Sequence, residues 1–108
     1  MTGENRPLSE IYREAANEWA EKEAAAQLLE DTKSAIMAQM IVRASTPDVP
    51  FNKTEAAVKA SQEWLRHVES IVDSRKSANL AKVNLEYIRM QFTEWNNEQA
   101  NHRAESRL

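Results

Sequence analysis

The sequence predicts an all-α protein, a long antiparallel helical hairpin with coiled-coil-like seams whose second helix overhangs the first. Three observations predict it. Gly3, Pro7, Pro47 and Pro50 are the only glycine and proline residues, so no such breaker interrupts the stretch from Asn52 to about Ser106. Ala, Glu, Lys, Arg, Gln and Leu dominate, as they do in long helices. Apolar residues recur at alternating steps of three and four, the period of a helix seam and not of a strand. A continuous helix over 52–106 would reach roughly 75–80 Å at the helical rise, more than so small a chain can wrap by itself.

The elements follow in order within one domain, 1–108. Residues 1–7 read as a frayed lead-in. Helix one spans 8–44 and opens near Leu8 or Ser9, with Ser9 as N-cap and Glu10 in the first turn. Its stripe runs Leu8, Tyr12, Ala15, Trp19, Ala26, Leu29, Ile36 and Met40, with Lys22 and Lys33 at two seam positions. Ala24–Ala26 leave one section thin, so a neighbouring helix can approach closely there. The loop is 45–51, where Pro47 and Pro50 push their predecessors out of helical geometry. Helix two, 52–106, has Asn52 as a cap, Glu55 three residues later and Phe51 as a staple. So short a loop makes the two helices antiparallel neighbours.

Helix two carries two seams in different phases. The early one is Ala57, Ser61, Trp64, Val68 and Ile71; the later one is Ala78, Ala81, Leu85, Ile88, Phe92 and Trp95. Between them, Asp73–Ser77 has no apolar residue. A continuous helix whose stripe rotates explains this. The alternative is a three-helix bundle with a break near residues 73–77. If Ala44 faces Lys53, then Leu8 faces Arg89, Tyr12 faces Leu85, and residues 90–108 overhang by roughly 28 Å. Phe92 and Trp95 sit at the root of that overhang. Leu85, Ile88, Phe92 and Trp95 are therefore the candidate oligomer interface, because exposed large aromatics are unusual on a monomer.

Composition excludes several function classes. The chain has no Cys, which removes disulfides and thiolate metal sites. No apolar run approaches the length of a membrane span, and MTGENRPLSE has no signal-peptide core, so the expectation is a cytoplasmic protein without membrane contact. Net charge is −3, the opposite of a domain that binds nucleic acid by electrostatics. The charge is uneven, however. Residues 1–50 hold five Lys/Arg against nine Asp/Glu, and residues 51–108 hold nine against eight.

Arg75, Lys82, Arg89 and Arg103 fall on a seven-residue spacing, with Lys76 beside them. Such a stripe pairs across helix interfaces, and Glu14, Glu18 and Glu21 of helix one are the expected partners. Tracking a phosphate backbone is the other use of this spacing. Glu63/His67 and Glu98/His102 each share a helix face, but half a metal site is all that either supplies, so surface ion pairs are expected and no metal. Each Trp follows a Glu and lies on a seam, which reads as packing; stacking on nucleobases is the sharper alternative. No nucleophile triad, phosphate-cradling glycine loop or zinc helix motif occurs, so neither catalysis nor a cofactor is expected.

From about Ile11 to Glu105 the layout resembles small all-helical proteins of tailed phages and prophages. The stretches TEAAVKASQEW, SRKSANLAKVNLEYIRMQFTEW and EQANHRAE carry this resemblance. It implies a setting among early phage genes of DNA recombination or replication, and transfers no catalytic residue. The sequence thus points to a homo-oligomeric assembly or adaptor protein acting on protein partners. A nucleic-acid-binding accessory factor is the alternative.

Overall fold

A computed structural model describes residues 6–106, and the molecule is an elongated helical hairpin of 87 × 27 × 17 Å. It has three helices among the described residues: α1, Leu8–Ala44; α2, Phe51–Lys59; and α3, Gln62–Ser106. The two long helices run antiparallel and make most of the tertiary contacts, while the short α2 packs at the loop end. Most of the expected frayed segment, residues 1–5, lies outside the described residues. Arg6 is tied down, its Nη1 donating to Glu14 Oε1 at 2.6 Å.

The helix starts differ from expectation for a local reason. Each N-cap position is taken by a proline, Pro7 before α1 and Pro50 before α2, and neither helix has a side-chain cap. Proline's fixed φ suits the extended cap geometry, with ψ of 142° and 147°. The Pro7 carbonyl accepts from the Glu10 and Ile11 amides, and the Pro50 carbonyl from those of Lys53 and Thr54. Ser9 and Asn52 therefore sit inside the first turns, not at the caps. Phe51 is 65% exposed and staples nothing.

Residues 73–77 are continuous helix, as the rotating stripe requires. The break in the second half of the chain comes earlier, at Ala60–Ser61, without a Gly or Pro. Ala60 relaxes to φ −88°, ψ −6°, the shallow edge of the right-handed helical region. Ser61 then caps α3: its Oγ accepts from the Trp64 amide at 3.2 Å and donates to the Val58 carbonyl at 2.6 Å. The break reorients α2, so Val58 and Thr54 are buried while Ala57, expected in the seam, is exposed.

Two apolar clusters close the hairpin. Near the loop, Met40, Ile41, Val58 and Trp64 pack with Ile36, Met37 and Val68. At the far end, Ala15, Leu85 and Ile88 pack with Leu8, Ile11, Tyr12, Ala16 and Trp19. The section between is thin, as Ala24–Ala26 suggest; Ala26 and Ala78 are both fully buried and offer little more than a Cβ each.

The pairing register is shifted by about one turn from the simple count. The Tyr12 hydroxyl reaches Arg89, one turn beyond Leu85, and Leu8 lies beside Phe92 and Trp95. The residues used by the separate α2 account for the shift. The overhang is correspondingly shorter, residues 96–106, or roughly 16 Å of exposed helix.

Candidate functional site

The interface expected at Leu85, Ile88, Phe92 and Trp95 divides in two. Leu85 and Ile88 are 6% and 7% exposed, buried against α1 inside the hairpin, so they are core and not a docking surface. The correction follows from the seam facing inward: Leu85 and Ile88 lie within the span of α1 and pack on Ala15 and its neighbours. Phe92 and Trp95 stay outside, 42% and 52% exposed, with ring centroids 6.5 Å apart. They flank two adjoining open clefts at the start of α1. One, of about 330 Å³, is lined by Ser9, Tyr12, Arg89 and Phe92, and the other, of about 370 Å³, by Leu8, Ser9, Phe92 and Trp95.

Arg89 orders this end. Its Nη2 donates to the Tyr12 hydroxyl at 2.9 Å, and its guanidinium carbon lies 5.9 Å from the centroid of the same ring. The hydrogen bond to Tyr12 raises the Arg89 pKa further, so the group stays cationic. An aromatic pair beside a fixed cation is an apolar cleft with one polar edge, suited to a protein surface.

The basic stripe is also divided. Arg75 is clamped by α1: Nε and Nη2 donate to the two Glu30 oxygens at 2.7 and 2.8 Å, and Nη1 donates to Glu23 Oε1 at 2.6 Å. Glu23 and Glu30 are two turns apart on one face of α1. The Arg75 hydrogen bond holds the Glu30 carboxyl below its usual range, against the desolvation that would raise it. The expected partners Glu14 and Glu18 instead pair locally with Arg6 and Lys22, and Glu21 has no ion pair among the described residues. The one-turn register shift moves the clamp to Glu23 and Glu30. Lys76, Lys82 and Arg103 are exposed and have no ion pair among the described residues.

The glutamate–histidine pairs do not form. Glu63 accepts from Arg43 at 2.7 Å, while His67 packs on Trp64 at 5.7 Å between centroids. Glu98 and His102 are exposed on the overhang. No group of three or more metal-ligating side chains occurs among the described residues. No helix of the described residues is long and apolar enough to cross a membrane.

One surface escaped the sequence reading. Leu80, Val83, Tyr87 and Met90 line the outer side of α3, each about 60% exposed. Their steps of three, four and three are a legible seam signal. It was masked because Ala81, Leu85 and Ile88 form a stronger seam in the same segment. No known protein family matches the chain, and neither a curated protein nor a solved structure matches it.

Proposed function

We propose that this chain is a non-enzymatic self-assembly or adaptor protein that acts through protein–protein contact. The supporting observation is the aromatic end of the hairpin, where Phe92 and Trp95 remain exposed after α1 has covered Leu85 and Ile88. Covering an aromatic side chain contributes roughly 1.5–3 kcal/mol, and symmetric copies multiply the gain. The setting in this reading is the cytoplasm, the host's if the chain is phage-encoded.

Light scattering tests it. The wild type should have a mass of at least two chains, and the Phe92→Ser/Trp95→Ser variant should be lighter at equal concentration. A wild type that stays monomeric at micromolar concentration overturns the reading.

A nucleic-acid accessory role is the second reading, supported by the exposed cations Lys76, Lys82 and Arg103 and by the phage-like layout. It is the weaker one, because Arg75 and Arg89 already have partners within the hairpin. Gel shifts across a salt series test it, since phosphate contacts give binding that falls steeply with salt.

A further inference from the structure

We propose that α3 pairs antiparallel with α3 of a second copy of this chain, through the outer stripe Leu80, Val83, Tyr87 and Met90, in a register set by Lys76 and Glu94. This surface is centred about 160° round α3 from Phe92 and about 100° from Trp95, so the proposal goes beyond the aromatic-end reading.

Helix geometry gives α3 two apolar faces in the same segment. At about 100° per residue, the outer stripe lies roughly half a turn round from Ala81, Leu85 and Ile88. The burial agrees: those three are at most 7% exposed, whereas Leu80, Val83, Tyr87 and Met90 are 59%, 60%, 58% and 61% exposed. Tyr87 even has its hydroxyl served on its own helix, by Gln91 Nε2 at 3.3 Å. Covering its ring therefore leaves the hydroxyl oxygen with a partner. A four-residue run at alternating three and four steps is the knob pattern of a helix pair.

The charges at its two ends say what covers it. The same seam continues one step outward to Lys76 at one end and Glu94 at the other. Both are exposed and without an ion pair among the described residues. Place a second α3 antiparallel, with the two-fold axis at the level of Leu85. Leu80 then meets Met90 of the second copy, and Val83 meets its Tyr87. Lys76 meets its Glu94, and symmetry repeats every pair. Four apolar layers are bracketed at each end by an opposite-charge pair.

Other arrangements lose this match. Sliding one heptad one way sets Lys76 against Tyr87 and Asp73 against Met90. Sliding the other way sets Val83 against Glu94 and Leu80 against Asn97. A parallel pair in register sets Lys76 on Lys76 and Glu94 on Glu94. The flanks allow the antiparallel contact: Asn79, Asn84 and Gln91 are uncharged, and Glu86 has Arg89 one turn away.

Charge reversal tests the register. Sedimentation equilibrium is run on the full chain and on Lys76→Glu, Glu94→Lys and the double reversal, with helicity and melting checked by circular dichroism. Each single reversal should weaken self-association about tenfold, because symmetry converts two exposed attractions into two repulsions. The double reversal should restore it. The chain's lack of cysteine permits a second readout. Leu80→Cys mixed with Met90→Cys should form an interchain disulfide, and neither variant should cross-link with itself.

Single reversals without effect, a double reversal no better than the singles, or self-cross-linking of Leu80→Cys overturns the proposal. Assembly that survives both reversals and fails only in Phe92→Ser/Trp95→Ser refutes this surface and leaves the aromatic end standing. The converse pattern refutes the aromatic end alone. A strictly monomeric wild type ends both.

Discussion

Ser74→Pro tests the feature on which the hairpin depends, the unbroken run of α3 through its polar stretch. Ser74 sits twelve residues into α3, where its amide belongs to the helix ladder. Proline there removes one hydrogen bond and collides with the preceding turn, which costs about 3 kcal/mol. A kink adds to this. Bending by about 20° over the roughly 20 Å between residues 74 and 88 displaces the far end by about 7 Å. That shift lifts Ala81, Leu85 and Ile88 off α1 and opens the far cluster. A loss of 3 kcal/mol lowers the melting temperature of a domain this size by about 12 °C or more. The control is Gln62→Pro, at the first helical position after the Ser61 cap, where proline is preferred. Thermal melts followed by circular dichroism read both. Two equal shifts, or a Ser74→Pro melt within a few degrees of wild type, refute a continuous α3.

Three further outcomes are expected. Ser61→Ala removes the acceptor of the Trp64 amide and should cost about 1 kcal/mol in a urea titration. Leu85→Ala empties a site 6% exposed in the far cluster and should cost about 2–5 kcal/mol by the same measurement. The Glu30 carboxyl, held below its usual range by the Arg75 hydrogen bond, makes stability pH-dependent with a definite sign. A depressed folded value means the contribution is complete above the ordinary 4.5 and fades as pH falls through the folded value. Glu30→Gln should therefore be less stable than wild type at neutral pH, with the gap closing in acid. A gap independent of pH would show that the clamp does not carry the effect.

The long helices, the loop at the prolines and the continuity of 73–77 were legible because each rests on a strong local signal. Two breakers within four residues end a helix in any context, and a stretch without them favours one. The Ala60–Ser61 break was not legible in the same way. Lys59-Ala60-Ser61 is a good helical sequence, and Ala60 has the highest helix propensity of any residue. Ser61 had a cap signal, a hydroxyl three residues before the Trp64 amide, but no breaker beside it. The deciding interaction is tertiary: ending α2 there buries Val58 against Met40 and Ile41. That gain comes from partners seventeen and eighteen residues away in sequence, which meet Val58 only in the folded state.

The same reasoning explains why the partners of Arg75 differ from those expected. A count from the loop assumes that every residue of the second half lies alongside α1. The residues that form α2 and its turn break that assumption and shift the match by a turn. One turn is enough to exchange partners, from Glu14, Glu18 and Glu21 to Glu23 and Glu30. Alanine contacts such as Ala26 and Ala78 cannot correct a register, since a lone methyl fits many positions. Arg75 can: its fork reaches both Glu23 and Glu30, and sliding either helix by a heptad would leave it only one of them. The thin section of the hairpin is therefore where a polar clamp sets the alignment. That alignment leaves Phe92, Trp95 and the outer stripe of α3 uncovered.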